Sequence, residues 1–388
     1  MRLVVCGLLS YFMHICFLTY GSISKIATLK RATGMAGPLM ERGHKVSILI
    51  QDTEENRLRV QLECPTVHAY YIKAGGVRED LKARIGKVNE IKPDCVWVCG
   101  PGIRNFVTKI KGCPEGLVIA DHSELLSAIK NRHFFRRAYD YLVETFFASV
   151  IQEHVVSSVY LRDNLKRRLR MLGRKVDPFY FPYAFNSKVM LTENSSINKS
   201  IVSEHARYRC IVYLGTFSEN YGIFDMIRAI SEVSKNYSDV RLILMGQGRE
   251  EERAKILVKE LGLEEHVKFA GYVPEELLAT YCSLAYAFIC PLRDTVQDWA
   301  RCPSKLYLYL PYRKPIITCK IGEAAQMFKQ EDYLYQPGDL KSMARAIGKT
   351  LSDEAIPLGV DPSMHTWEAR VDAFLDWVSV NHPRLTKV

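Results

Sequence analysis

No spacing of cysteine and histidine in this sequence resembles a metal site. The eleven cysteines are scattered and sit mostly in apolar, strand-like runs, such as Cys6 in LVVCGLL and Cys95 and Cys99 in DCVWVCG. Cys95 and Cys99 would share one face of a strand, but no second Cys or His pair completes a zinc set. The same scatter excludes a disulfide scaffold and fits a reduced, cytoplasmic compartment. No glycine fingerprint follows the first apolar run, which excludes an ordinary dinucleotide dehydrogenase. No recognition motif accompanies the basic charge, so nucleic acid is not an expected partner. Long apolar runs are scarce as well. The one candidate, LVVCGLLSYFMHICFLTY, is broken by Gly7, Ser10, His14 and Thr19 and has no small-residue cleavage site. A helix-like segment and MERGHKVSILI follow it. The run therefore reads as a buried first strand, residues 3–8, and an apolar loop rather than as an anchor.

Acidic residues are short in the first half. Residues 1–190 hold 29 Lys and Arg against 17 Asp and Glu, an excess of 12 positive charges, whereas residues 191–388 hold 24 against 26. All of the net charge of +10 therefore lies in the first half. Such a surface suits an anionic membrane or a lipid-linked phosphate. Two segments there mix basic and apolar residues, NRHFFRRAYDYLVETFF (131–147) and LRDNLKRRLRMLGRK (161–175). They read either as membrane-facing helices or as ordinary solvated ones, with Phe134, Phe135, Phe146 and Phe147 turned to the core.

What is present is an alternation of strands and helices. Short apolar runs predict strands at 3–8, 45–50, 66–72, 94–99, 116–120 and 154–157, with helices over 24–42 and 78–91 among those between. A polar stretch leads to a second series, with strands at 210–214, 240–245, 267–270, 286–290 and 315–318. Runs this short and this apolar belong to parallel sheets covered on both faces. A chain of 388 residues exceeds one core. Two α/β domains follow, with ligand expected beyond the carboxyl ends of the strands.

The stretch RCPSKLYLYLPYRKPIIT, residues 301–318, carries the most chemistry. Pro303 suits a helix entrance, and Ser304 and Lys305 would sit at the helix's positive end, where anions are held. With YLGTFSENYGIFDMIRAI, LILMGQGREEERAKILVKELGLEEHVKFAGYVPEELLATYCSLAYAFICPL and this stretch, the chain resembles the retaining glycosyltransferases of family 4. The likeness runs from about Arg209 to Gly348. It extends more weakly to the first half through GSISKIATLKRATGMAGPLMERGHKVSILI, VIADHSELL and FPYAF. It implies the GT-B fold, two Rossmann-like domains facing a central cleft. The expected domains are 1–186 for acceptor, a linker at 187–208, 209–364 for donor, and a closing helix within 365–388 that crosses back to the first.

The resemblance implies a nucleotide-sugar donor, used as a substrate and not as a cofactor, and a glycan or lipid-linked acceptor. No DxD-like motif is placed in the cleft, so no metal is expected. On the donor side it points to Gly215, Thr216 and Phe217, to Gly246 and Arg249, to Tyr272 and Val273 at the nucleobase edge, and to Ser304 and Lys305 at the diphosphate. Asp298 is a further donor-side candidate, near in sequence to the acidic positions of relatives but out of register. His122 falls where relatives keep a cleft histidine beside the transferring sugar, with Asp121 placed to orient it. Gly21 and Ser22 fall in the loop before the first helix, on the acceptor side.

Each reading has a plainer rival: Ser304 as a helix cap, 215–222 as a bare strand-to-helix turn, Arg249 as a solvated charge, and Asp121-His122-Ser123 as a loop cap. The chain also departs from the family. Ala300 and Leu308 stand where many relatives carry two glutamates, the second binding the ribose. Thr216 and Tyr221 replace a cationic clamp, and Ser22 replaces a glycine. A subgroup with a PSKL helix start shares the loss of the first glutamate. The leading expectation is a metal-independent retaining glycosyltransferase, peripheral at a membrane. The alternative is a non-catalytic GT-B subunit that binds an acceptor or a partner enzyme.

Overall fold

Parallel pairing takes up nearly every apolar run. The computed structural model describes residues 12–22, 27–100, 116–129, 132–188, 197–329, 331–352 and 359–385. The chain divides into two units, one of Met1–Asn186 with Thr366–Val388 and one of Ser187–His365.

The first unit runs β1 (His14–Leu18), α1 (Ala27–Glu41), β2 (Lys45–Gln51), α2 (Glu54–Glu63), β3 (His68–Ile72), α3 (Val77–Ile91), β4 (Cys95–Cys99), β5 (Leu117–His122), α4 (Phe134–Val150), β6 (Glu153–Val156), α5 (Val159–Met171) and β7 (Phe179–Tyr180). Its sheet is parallel throughout, in the order β3-β2-β1-β4-β5-β6-β7. The central strands β1 and β4 are buried along their whole length. The first strand of this sheet is therefore HICFL at 14–18; the strand expected at 3–8 lies outside the described residues. The apolar stretch read as a loop supplies the middle of the sheet, and its polar interruptions are absorbed there. The His14 ring bonds to the Ser47 hydroxyl at 2.7 Å, and the Thr19 hydroxyl donates to the Leu49 carbonyl.

The second unit runs α6 (Lys199–His205), β8 (Arg209–Leu214), α7 (Ile223–Val233), β9 (Val240–Met245), α8 (Glu251–Glu260), β10 (Val267–Gly271), α9 (Glu275–Ser283), β11 (Ala285–Cys290), α10 (Val296–Ala300), α11 (Ser304–Tyr309), β12 (Ile316–Cys319), α12 (Gly322–Met327), β13 (Leu334–Tyr335) and α13 (Leu340–Leu351). Its parallel sheet has the order β10-β9-β8-β11-β12-β13. The order reverses between β8 and β11, and such switch points open a crevice at the carboxyl ends of the strands. The stretch expected as linker is part of this unit. It carries α6, whose buried His205 accepts from the Arg241 guanidinium at 3.3 Å, and the Asn198 amide donates to the Thr280 hydroxyl.

A last helix, α14 (Trp367–Asn381), completes the first unit. Its Phe374 meets Trp97 of β4 edge-on at 5.2 Å, and Trp377 stacks on Phe179. Gly34 in α1 explains itself here, because a Cβ at that position would lie 2.4 Å from the Trp367 indole.

Candidate functional site

The loops that leave β8 and β11 flank the switch point of the second unit, and α11 stands over it. Two side chains pin this short helix. The Tyr309 ring stacks on Phe288 of β11 at 4.2 Å, and its hydroxyl accepts the Leu214 amide of β8 at 2.9 Å. Leu306 and Leu310 are buried beside it. The first helical residue is Ser304, and Pro303 precedes it as cap without a side-chain bond, so Ser304 is not the cap its position suggested.

Lys305 leans from α11 over the β8 turn. Its ammonium lies 4.1 Å from the centre of the Tyr213 ring and 5.4 Å from that of Tyr221. A Cβ on Gly215 would come within 2.6 Å of that nitrogen, so only glycine leaves the ammonium its place. The whole side chain is half-buried, but its charged end is walled by these rings and the turn. Burial pushes the Lys305 ammonium down to about 8; the nearby Arg301 guanidinium acts in the same direction, and Asp298 opposes it.

Arg301 also lies against the Tyr221 ring, 4.9 Å from its centre. Asp298 holds it at 2.8 Å and also accepts the Arg293 amide at 2.7 Å. The Asp298 carboxyl is buried, which raises it above the usual carboxylate range. Its contacts are thus with residues that flank α10, and it positions a cation. Two positive groups, one of them paired with Asp298, thus lie on aromatic faces partly removed from water. Arg301 escaped the sequence reading because its placement depends on Asp298 and Tyr221. The available signal was an Asp-to-Arg spacing of three residues just ahead of PSK.

The glycine-bearing turns serve mainly to pack against each other. The Gly215 amide donates to the Met245 carbonyl and the Phe217 amide to the Gln247 carbonyl. These two amides are engaged with the β9 turn. A Cβ on Gly246 would sit 2.0 Å from the Gly215 oxygen, so the closeness of the turns itself demands glycine. Phe217 is buried, with its ring against Phe269. The Arg249 side chain is largely exposed and pairs with Glu250 at 3.2 Å. Tyr272 projects into solvent beside buried Val273 at the end of β10.

Residues 196–367 match the family model described as Glycosyl transferases group 1. The fold is GT-B. HepE of Anabaena, in complex with UDP and glucose, superposes with a TM-score of 0.68 at 14% identity over 95% of each chain. Sucrose-phosphate synthase of Thermosynechococcus elongatus gives 0.70 at 16% identity over 96% of this chain and 98% of its own. A Listeria monocytogenes protein assigned as a UDP-N-acetylglucosamine 2-epimerase gives 0.60 at 12% over 96% and 97%. Identities this low carry the GT-B fold alone. No curated protein sequence matches the chain.

Leu308 is 39% exposed, whereas Tyr307 and Tyr309 are buried on either side of it. The Tyr309 hydroxyl is taken by Leu214, and the Tyr307 hydroxyl accepts the Cys302 thiol at 3.4 Å. Neither tyrosine replaces a ribose-binding carboxylate at this helix.

In the first unit, His122 ends β5 with its ring buried, 3.2 Å from the His154 ring nitrogen. Burial holds the His122 imidazole down at about 4, so the pair is neutral near pH 7. Asp121 does not orient it. Neighbours on a strand face opposite ways, and Asp121 binds Arg31 at 3.3 Å and the Trp97 indole at 3.0 Å. Gly21 and Ser22 follow β1. The Gly21 amide donates to Gln51 and the Ser22 hydroxyl to Glu55. Beside them a hollow of about 230 Å³ is lined by Tyr20, Gln51, Lys73, Gly75, Asp80 and Arg84, among others. Among the described residues no group of His, Cys, Asp and Glu is arranged to hold a metal ion.

Proposed function

We propose that the protein is a retaining glycosyltransferase that moves a sugar from a nucleotide-sugar donor to a glycan or lipid-linked acceptor at a cytoplasmic membrane surface. The observation that carries this reading is the pair Lys305 and Arg301, set on Tyr213 and Tyr221 at the switch point, within the segment that matches the family model. Negative charge grows on a diphosphate as its bond to the sugar breaks. Preorganised cations in a partly dry site stabilise that charge more than they stabilise the bound donor. Lys305 and Arg301 take this role, and the Ser304 hydroxyl adds a donor at the same helix start. Val273 and exposed Tyr272 offer an edge for the base. The hollow beside Gly21 and Ser22 is the acceptor-side candidate. His122 receives no step, because its ring is spent on His154. Retention and independence of metal rest on the resemblance; the anomer formed, and activity in chelator, decide them.

HepE is described with UDP, so uridine donors come first in a panel with guanosine and adenosine sugars. Lys305→Ala and Arg301→Ala should each weaken UDP binding about tenfold or more by calorimetry, as loss of a charge-assisted contact does. Arg249→Ala should change it little, because that side chain is exposed and already paired. Equal, small effects in all three would remove the diphosphate from this place. A second reading has its own support in Leu308, which leaves α11 without a ribose-binding carboxylate. A non-catalytic subunit would bind nucleotide or acceptor and neither transfer nor hydrolyse any sugar of the panel.

A further inference from the structure

In the second unit a groove of about 580 Å³ runs between the end of α7 and the length of α13. Val233 and Tyr237 line it from the α7 side, and Ala344 and Gly348 from α13. The Val240 amide at the start of β9 donates to the Tyr237 carbonyl, which places the groove at the amino ends of the strands. The candidate donor loops leave the carboxyl ends. No residue of the proposed donor site takes part.

The charges of the groove are unevenly engaged. Lys341, Arg345 and Lys349 fall at i, i+4 and i+8 on one face of α13, and all three line it. Among the described residues neither Lys341 nor Arg345 makes an ion pair or a hydrogen bond, and both are exposed. The acids nearby are taken. Both Glu232 oxygens accept from Lys235 at 2.9 Å, and both Asp239 oxygens accept from Arg209 at 2.7 Å. Lys341 does not serve its own helix either. It stands in the first turn of α13, where the positive end of the helix disfavours a cation. Nor does it sample a general excess, since residues 191–388 hold 24 Lys and Arg against 26 Asp and Glu.

We propose that this groove is a docking surface for an extended acidic segment of a partner protein. Three cations spread over about 12 Å of helix suit a linear polyanion. A single phosphate would need them to converge on one point. Their spacing of about 6 Å along the helix is close to the ~6.6 Å between alternate residues of an extended chain. Acids at every second position therefore meet Lys341, Arg345 and Lys349 in turn. The residues between them point the other way, toward Val233, and are small and apolar. A single strand of nucleic acid is also a linear polyanion, but it binds through rings on which its bases stack. Tyr237 is the ring of this lining, and the Arg209 guanidinium lies 5.2 Å from its centre, over the face a base would need.

The test is fluorescence anisotropy of two labelled, capped peptides, Glu-Val-Glu-Val-Glu and Glu-Glu-Glu-Val-Val, titrated with the whole protein. The two share composition and charge and differ only in register. The alternating peptide should bind about threefold or more tightly than the block peptide. Lys341→Glu with Arg345→Glu should weaken the alternating peptide about tenfold or more, with UDP binding unchanged. Glutamate suits the first turn of α13, so the melting temperature should hold. Should it fall, Lys341→Gln with Arg345→Gln should still weaken the alternating peptide about threefold or more. Added UDP should leave the peptide bound. No binding by the wild type, equal binding of the two peptides, wild-type affinity in the charge-reversed variant, or displacement by UDP would each overturn the proposal. So would an oligothymidylate that binds the wild type more tightly than the alternating peptide and is lost on charge reversal, because the groove would then take nucleic acid.

Discussion

Lys305 holds its proton less firmly than an exposed lysine, and that has two consequences of opposite direction. In the folded protein burial lowers its pKa to about 8, well below its unfolded value near 10.4. Below pH 8 the charged ammonium in its partly dry site costs stability. Between those two values the unfolded chain binds more protons, so this cost is relieved as pH rises through the window. A bound diphosphate favours the charged form and raises the pKa again. UDP binding at about pH 8.5 should therefore take up protons, and affinity should fall as pH rises through 8. Calorimetry in two buffers of different ionisation enthalpy measures the uptake, and Lys305→Ala should abolish it. Leu308 bears on the other end of the nucleotide. A carboxylate accepting ribose hydroxyls contributes about 1.5–3 kcal/mol, and leucine offers no acceptor. The specificity constant for a 2′-deoxy donor should stay close to that for the ribo donor. A loss of about a hundredfold, ~2.7 kcal/mol, would show that another group grips the ribose.

At the scale of elements, α11 is a short piece with a large role. It is one and a half turns long and gains little from its own hydrogen bonds. Tyr309 supplies what the helix lacks, a stacked ring and an acceptor for the Leu214 amide. Tyr309→Phe keeps the stack and strands that amide. It should cost about 1–3 kcal/mol in denaturant unfolding and weaken UDP binding through a looser Lys305. Elements of this kind were legible to unequal degrees. Strands such as 94–99 and 240–245 stood out because each short apolar run is bounded by turn residues. The first strand did not, since the apolar run extends on both sides of Met13 and periodicity gives no edge within it. Two-residue strands such as Phe179–Tyr180 and Leu334–Tyr335 are too short to show a pattern at all. Helix α4 was read both ways, because whether Phe135 or Asp140 faces the core depends on Arg132 and Arg168, which come from outside the helix. Lys305 was visible through its motif. Arg301, Tyr213 and Tyr221 needed the meeting of two loops in space.

At the scale of the whole molecule, the two units differ in how the chain builds them. The second is continuous from Ser187 to His365, and the first closes only with α14. Four apolar residues of that helix, Trp367, Val371, Phe374 and Val378, are buried. Phe374→Ala removes a ring packed against Trp97 and should lower stability by about 3–5 kcal/mol. Denaturant unfolding followed separately for each unit should show the loss in the first unit and leave UDP binding by the second unchanged at low denaturant.

The position of α14 also sets an order of events during synthesis. When residue 186 leaves the ribosome, the strands of the first sheet exist, but the layer that covers Trp97 and Phe179 does not. At about 5–20 residues per second, the 187–365 segment takes roughly 10–40 s to make. For that interval the first unit waits with part of its apolar face open, while the second can finish folding as it emerges. The nascent chain should therefore recruit chaperones through its earlier half, and release them only after its last helix is delivered.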